Sequence, residues 1–109
     1  MGMVVSRFDV YLVQLEPTQG DEIQKIRPCL VISPDEMNRH IGTVIIAPMT
    51  APGRDYPSRI SCPFAGKQGR IILDPLHTID KSRLVKPLSQ IDAVTSQRII
   101  ETLQSLFAW

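Results

Sequence analysis

The chain has 109 residues, a length that accommodates one small domain around one hydrophobic core and excludes a two-domain arrangement. Hydrophobic residues make up 43% and charged residues 21%, which is ordinary globular composition and argues against a disordered or fibrous protein. The net charge is only +1, so bulk charge does not predict indiscriminate binding to polyanions. Any nucleic-acid site must therefore be local.

Charge is nevertheless uneven along the chain. Residues 1–49 carry four basic and six acidic side chains, whereas residues 50–92 carry seven basic and four acidic ones. A basic middle segment is compatible with an anion-binding surface, although a solvated face without a partner produces an asymmetry of this size as well.

The two cysteines, Cys29 and Cys62, have no CxxC neighbour, so we expect buried free thiols in a reducing compartment rather than a metal cluster or a redox motif. No apolar run reaches the length of a membrane helix, and the N-terminus lacks a signal-peptide pattern. These features predict a cytoplasmic protein with no metal, no cofactor and no membrane partner.

The first half of the chain predicts three strands and one short helix. The alternating segment Phe8–Leu15 is typical of a half-buried strand, and a loop follows at 17–22. The short apolar runs Arg27–Ile32 and Thr43–Pro48 predict strands that are buried on both faces. Between these runs, Ser33–Asn38 predicts a single helical turn capped by its first residue, with proline at the first helical position.

The second half predicts further strands at Arg59–Cys62, Arg70–Leu73 and Leu84–Ile91. The loop Ala51–Pro57 contains two prolines and one glycine and should be exposed and mobile, and Gly66–Gly69 predicts a tight turn. Five or six short strands with frequent turns favour a compact barrel or sandwich.

The C-terminal segment predicts an amphipathic helix that is capped by Thr95 and packs on the barrel. Its apolar stripe consists of Ile99, Ile100, Leu103, Leu106 and Phe107. We expect Phe107–Trp109 to lie in the core or in a dimer contact. The predicted fold class is thus mainly β with one C-terminal α-helix.

Three residues lie at positions where they can take part in binding or catalysis, although each position also has a purely structural explanation. Arg27, at the mouth of a buried strand, can hold a phosphate through two parallel hydrogen bonds or simply extend to water. Thr50, at a strand end, can donate to a phosphoryl oxygen or satisfy its own backbone. His77 follows an apolar strand between two carboxylates, and imidazole suits proton transfer near neutral pH.

No GxGxxG, P-loop, GxSxG or HExxH motif occurs, so the sequence lacks the motifs that usually identify nucleotide-dependent enzymes, serine hydrolases and zinc proteases. A metal-free phosphodiester reaction stays open, because RNA supplies its own nucleophile in the 2′-hydroxyl. Such a site needs a cation for the developing phosphorane charge, together with an acid and a base.

Several segments in register resemble the MazF/PemK (Kid) family of toxin endoribonucleases. The matching segments are Glu16–Glu22, Ile26–Ser33, Gly42–Thr50, Gly69–Asp74 and Thr78–Leu84, followed by the C-terminal helix. The run Arg-Pro-x-Leu-Val-Ile-Ser, followed at this distance by Pro-x-Thr, is fairly specific. The resemblance covers nearly the whole chain and implies a small SH3-like barrel with a C-terminal helix.

The resemblance also implies a homodimer that cuts single-stranded RNA at short sequences without metal and leaves 2′,3′-cyclic phosphate and 5′-hydroxyl ends. The implied partner is a MazE-like antitoxin whose acidic tail fills the basic groove, and DNA is contacted only through that antitoxin. The catalytic arginine and threonine of the family fall on Arg27 and Thr50, and its acidic loop residue falls on Glu22. Other residues expected at the RNA are Lys25, Arg54, Arg59, Arg70 and Asp74.

One stretch departs from the family pattern, because Pro75 stands where relatives commonly have glutamine and His77 where they have a basic residue. Glutamine can read a base edge and proline cannot, so base recognition is left open. A guanidinium is a poor base at neutral pH. We therefore assign phosphate binding and charge stabilisation to Arg27, one hydrogen bond to Thr50, and a candidate proton-carrier role to His77.

Two other functions remain open from the sequence. A CcdB-like gyrase poison of the same fold needs no phosphate-binding arginine, and its apolar C-terminus would correspond to Phe107–Trp109. A non-catalytic SH3-like binding module usually has a dense aromatic groove, which three Phe, two Tyr and one Trp spread along the chain do not build. A catalytically silent relative also remains open.

Overall fold

The computed structural model describes residues 4–15, 26–50, 56–64 and 67–108. Within these residues the chain forms seven strands, two α-helices and one short 3-10 helix. In chain order they are β1 (Asp9–Gln14), β2 (Ile26–Val31), α1 (Asp35–His40), β3 (Thr43–Thr50), β4 (Arg59–Phe64), β5 (Lys67–Ile72), β6 (His77–Asp80), the 3-10 helix (Lys81–Arg83), β7 (Leu84–Gln90) and α2 (Ala93–Leu106). The predicted mainly β fold with a C-terminal helix is confirmed. None of the described helices combines the length and the hydropathy needed to span a membrane.

The strands form one antiparallel sheet in the order β4-β5-β3-β2-β1-β7, and β6 pairs with β3 beside this path. β3 is the branching strand. It pairs with β2 along one edge, while its other edge holds β6 at residues 43–46 and β5 at Met49 and Thr50. The sheet is barrel-like but open, since β4 and β7 end the order of the described strands.

Apolar side chains are buried on both faces of this sheet, in two clusters. The first cluster lies against α2, which contributes Ile99, and it includes Leu30 of β2 and Met49 of β3. The second cluster includes Cys29 of β2 and Ile46 of β3. Because side chains alternate along a strand, β2 and β3 supply both clusters, and this explains why their sequences are continuous apolar runs.

Both helices have N-caps that the sequence analysis did not predict. The N-cap of α1 is Pro34 and that of α2 is Asp92, whereas Ser33 and Thr95 were predicted, so both cap predictions were wrong. The Asp92 carboxylate accepts a hydrogen bond from the Thr95 backbone N–H at 2.9 Å, and hydrogen bonding by the Thr95 side chain and backbone lowers the pKa of Asp92. Thr95 is therefore inside the helix, where its side chain is buried.

Three further predictions need correction. Residues 67–69 of the predicted turn belong to β5 and pair with β4, so the strand starts earlier than expected. β6 was missed, because Ile79 is its only buried residue and one apolar residue gives no alternation. Phe107 is 76% exposed, so it does not pack in the core of this chain. The predicted loop at 17–22 and most of the loop at 51–57 lie outside the described residues.

Ser33 ties α1 to β3 instead of capping the helix. Its hydroxyl donates to Asn38 Oδ1 at 2.6 Å and accepts from the backbone N–H of Ile45 at 3.1 Å. The Asn38 amide donates in return to the Ser33 carbonyl at 3.0 Å. Both side chains are buried, so this network satisfies polar groups that water does not reach.

Replacing Ser33 with alanine should therefore destabilise the fold. The change leaves the Ile45 N–H and the Asn38 carboxamide oxygen without their partner, and we expect a loss of roughly 1–3 kcal/mol in the free energy of unfolding. Urea denaturation measures this loss. Ser105→Ala, at an exposed serine of α2, is the matched control and should stay within about 0.5 kcal/mol of the parent. Equal stability of the two variants would contradict the assigned role.

Candidate functional site

The register between β2 and β3 determines where Arg27 lies relative to Thr50. The paired residues are Cys29 with Pro48, Leu30 with Ala47, and Val31 with Ile46. The pairing ends at Cys29 and Pro48, so Arg27 lies two residues beyond the last pair on β2 and Thr50 two residues beyond it on β3. The two residues that were assigned to phosphate chemistry therefore occupy the same end of two adjacent strands.

Arg27 stands where burial along β2 ends. It is exposed, whereas Cys29, two residues further along the same side of the strand, is fully buried. The Cys29 thiol donates a weak hydrogen bond to the Arg27 carbonyl at 3.7 Å. Burial raises the pKa of this thiol to about 12, while the nearby charge of Arg27 acts in the opposite direction. Cys29 is thus a protonated packing residue beneath the arginine, and its expected free, buried state is confirmed.

Basic residues continue from Thr50 across the neighbouring strands. Arg70 of β5 lies opposite Thr50 on one side and opposite Ser61 of β4 on the other. Arg59 is two residues from Ser61 and therefore shares its side of β4, while the two residues flanking Ser61 are buried in the first core cluster. Two of the residues predicted to contact RNA, Arg59 and Arg70, are thereby brought to the same region as Thr50.

Asp74 has a structural partner as well as an exposed carboxylate. It accepts a hydrogen bond from the Ser58 hydroxyl at 2.7 Å, and Arg59 Nε lies 3.8 Å from the same carboxylate oxygen. The Ser58 carbonyl in turn accepts from the Leu73 backbone N–H at 2.9 Å. These bonds hold the start of β4 against the turn that follows β5. The Asp74 side chain is 51% exposed, so the carboxylate stays accessible to a ligand.

His77 lies apart from the Arg27–Thr50 end of the sheet. It is the exposed first residue of β6 and pairs with Ile46 of β3. Ile46 is four residues before Thr50, which corresponds to about 13 Å along an extended strand. The fold therefore brings Arg59 and Arg70 closer to Thr50 than it brings His77. Glu22, Lys25 and Arg54 lie outside the described residues.

Tyr56, which was not among the predicted site residues, contributes an aromatic ring next to this region. The Arg59 guanidinium lies over the Tyr56 ring, 4.7 Å from its centroid. The ring is 45% exposed. The available signal was an aromatic residue in the Pro- and Gly-containing loop just before a strand, since exposed loop residues beside a sheet often carry binding functions.

Comparison with known proteins gives a consistent result. Residues 6–107 match the family model of PemK-like, MazF-like toxins of type II toxin-antitoxin systems. The chain is 33% identical over 108 residues to endoribonuclease EndoA of Bacillus subtilis, covering 94% of this chain and 93% of that protein. It is 34% identical over 96 residues to endoribonuclease MazF of Staphylococcus saprophyticus, covering 81% and 78%. A crystal structure of MazE-MazF from Deinococcus radiodurans superposes with a TM-score of 0.82 at 26% identity, covering 96% of each chain.

The raised pKa of Cys29 predicts an unreactive thiol. At pH 8 only about one thiol in ten thousand is ionised if its pKa is about 12, and alkylation requires the thiolate. Native protein treated with iodoacetamide at pH 8 should therefore show almost no label on the Cys29 peptide in mass spectrometry, whereas protein in denaturant should be fully labelled. Rapid labelling of native protein at this peptide would show that the core under Arg27 is open.

Proposed function

The chain belongs to the family of PemK-like, MazF-like toxins of type II toxin-antitoxin systems, and from this premise we propose that it is a sequence-specific endoribonuclease. It cleaves single-stranded RNA at short sequences without metal and leaves 2′,3′-cyclic phosphate and 5′-hydroxyl ends. Two relatives with 33% and 34% identity are named endoribonucleases, which supports the activity. The observation that supports the proposal for the site is the register of β2 with β3, because Arg27 and Thr50 each lie two residues beyond its last pair, Cys29 with Pro48.

The proposed reaction is transesterification within the RNA. The 2′-oxygen next to the scissile phosphate attacks phosphorus, the bond from phosphorus to the 5′-oxygen breaks, and a cyclic phosphate forms. Arg27 binds two phosphoryl oxygens in parallel and stabilises the negative charge of the pentacoordinate state. Thr50 donates its hydroxyl to a phosphoryl oxygen. The exposure of Arg27 at the edge of the core supports this role, because the guanidinium is accessible to an anion.

Two protons must move in this reaction. The 2′-hydroxyl loses one proton to a base, and the departing 5′-oxygen gains one from an acid. Arg27 remains protonated throughout and is not the base. We retain His77 as the candidate proton carrier, although a strand length of about 13 Å separates its pairing partner Ile46 from Thr50. Its test is separate from that of Arg27.

The proposed partners follow from the same premise. The chain acts as a homodimer, and a cognate MazE-like antitoxin inhibits it by placing an acidic tail over the basic residues. The Deinococcus radiodurans structure is of MazE with MazF, which supports the class of partner. Arg59 and Arg70, on adjacent strands β4 and β5, would face the acidic tail as they face RNA. Contact with DNA is made through the antitoxin alone.

Replacing Arg27 with alanine should abolish cleavage without unfolding the protein. Losing a donor to the developing charge costs about a hundredfold or more in rate, and Arg27 also supplies the positive charge. The assay is digestion of total RNA in EDTA, with circular dichroism to check the fold. Arg39→Ala, at an exposed arginine of α1, is the matched control and should cut at the parent rate. Wild-type cleavage by Arg27→Ala would end the assignment.

The parent protein in the same assay tests the activity itself. A ladder of fragments in EDTA, absent when the 2′-hydroxyl at the cleavage site is replaced by hydrogen, is the expected result. Intact RNA together with inhibited DNA supercoiling would instead identify a CcdB-like gyrase poison. Intact RNA with no effect on supercoiling would identify a silent relative or a binding module.

The role of His77 predicts a change in the pH dependence of cleavage. If its imidazole carries a proton, His77→Gln should lower the single-turnover rate and flatten the limb of the pH–rate profile that reports the imidazole. His40→Gln, at the other histidine of the chain, should leave the profile unchanged. A parent-like profile for His77→Gln would remove His77 from the catalytic residues.

A further inference from the structure

A groove of about 400 Å³ lies between β4 and α2, beside the basic residues of the candidate site. The β4 side contributes Tyr56, Arg59 and Ser61, and α2 contributes Arg98, Glu101 and Thr102. This volume is within the range of about 300–1,000 Å³ that is typical of sites for small molecules. The family assignment does not by itself give this groove a role.

The Tyr56 ring is held in place and is still accessible. The Arg59 guanidinium stacks on it at 4.7 Å from the ring centroid, yet the residue is 45% exposed. Arg59 Nε is buried and has no hydrogen-bond partner, and the nearest carboxylate, of Asp74, is 3.8 Å away. The guanidinium is therefore fixed by the ring and by the charge of Asp74 rather than by a hydrogen bond from Nε. Such an aromatic–arginine pair is a platform on which a further planar group can stack.

The opposite wall of the groove is polar. Arg98 and Glu101 lie one turn apart on α2, and Gln97 donates to the Glu101 carboxylate at 3.1 Å. The Thr102 hydroxyl donates to the Arg98 carbonyl at 2.8 Å, so its oxygen keeps the capacity to accept. Asp74 lies 3.8 Å from Arg59 Nε and Gln97 donates to Glu101, which leaves Arg98 as the cation of the groove that can meet a phosphate. A planar polar group that carries a negative phosphate fits this wall better than an apolar side chain does.

The groove shares Ser61 with the row of paired residues that crosses the sheet from Thr50. Thr50, Arg70 and Ser61 follow one another across β3, β5 and β4, and Ser61 is itself part of the groove. At a spacing of about 4.8 Å between neighbouring strands, Ser61 is about 10 Å from Thr50. A single strand of RNA that is bound at Arg27 and runs across the sheet therefore reaches the groove with a nucleotide close to the cleaved one.

We propose that the β4–α2 groove binds one nucleotide that flanks the scissile phosphate, an inference that rests on the proposed endoribonuclease function. The base of this nucleotide stacks on the Tyr56 ring, and Arg98 pairs with its phosphate. Glu101 and Thr102 accept hydrogen bonds from the edge of the base. Tyr56 is thus a substrate-binding residue outside the Arg27–Thr50 pair, and the groove makes the enzyme select a base at one position of its RNA.

The test is an abasic scan of a substrate that binds but is not cut. Once the cleavage position has been mapped by sequencing 5′ ends, the scissile 2′-hydroxyl is replaced by hydrogen in a labelled oligonucleotide. Each flanking nucleotide is then replaced in turn by one that lacks the base, and affinity is measured by fluorescence anisotropy. For the parent protein we expect one flanking position at which loss of the base weakens binding about tenfold or more.

The variants decide whether Tyr56 is the residue that contacts that base. Tyr56→Ala should weaken binding of the intact oligonucleotide and should be insensitive to loss of the base at that one position. Tyr56→Phe keeps the ring and should behave as the parent does. Equal sensitivity of Tyr56→Ala and the parent at every position would overturn the inference. If Tyr56→Ala does not fold by circular dichroism, Tyr56→Leu, which keeps apolar bulk without a ring, takes its place with the same expected result.

The salt dependence of binding tests the wall formed by α2. Removing one phosphate contact with Arg98→Gln should lower the magnitude of the slope of log affinity against log salt by about 0.7, the value for a single strand, whereas Arg39→Gln should leave the slope unchanged. Equal slopes for Arg98→Gln and the parent would remove the phosphate contact from the proposal.

Failure of the parent to cut RNA would reject the proposed function itself. Cleavage by the parent, together with equal sensitivity of Tyr56→Ala and the parent to loss of each base, would reject only the groove. Weaker binding of Tyr56→Ala to the antitoxin, with unchanged RNA binding, would assign the groove to the protein partner and overturn the inference.

Discussion

The antiparallel pairing of β2 with β3 is the constraint on which the candidate site depends. A strand pair has one register when both of its faces are buried, because a shift by one residue would turn every apolar side chain to the wrong side. Here Cys29 and Leu30 pack into different clusters on opposite faces, so β2 cannot slip against β3 without exposing one of them. Arg27 and Thr50 follow the last pair of this register, Cys29 with Pro48, at the same end of the two strands. The packing of the core thus positions the residues that we assign to phosphate chemistry.

The boundary between buried and exposed residues on β2 then determines whether a side chain is a neutral part of the core or a charged group in solvent. Cys29 is fully buried and protonated, whereas Arg27 is exposed at the end of the same strand. A guanidinium there is held by a rigid backbone, while its charged group can meet an anion in solvent. Beyond Thr50, strands β5 and β4 extend the basic surface through Arg70 and Arg59. Cleavage and substrate recognition are therefore proposed on one continuous sheet, with α2 forming the far wall of the groove.

Much of this fold could be predicted from the sequence, because long apolar runs and alternation report burial directly. β1, β2, β3 and β7 begin or end within two residues of the predicted strands, and the C-terminal helix was expected. Two predictions failed because the deciding interaction is tertiary. Ser33 looked like a helix cap, but Ile45, which lies 12 residues later, uses its hydroxyl. β6 has one buried residue and depends on pairing with β3, which no local pattern reveals. The Tyr56–Arg59 contact, in contrast, is local, and its sequence signal was the aromatic residue in the Pro- and Gly-containing loop before β4.

The central claim is that Arg27 and Thr50 act on one phosphate, and a double-mutant cycle measures this most directly. Arg27→Lys, Thr50→Val and the double variant are compared with the parent in single-turnover cleavage of one RNA oligonucleotide. Residues that hold the same group are coupled. The fold-loss in cleavage rate of the double variant should therefore be much smaller than the product of the fold-losses of the two single variants. Losses that multiply without coupling would show that the two side chains act at separate places and would contradict the account.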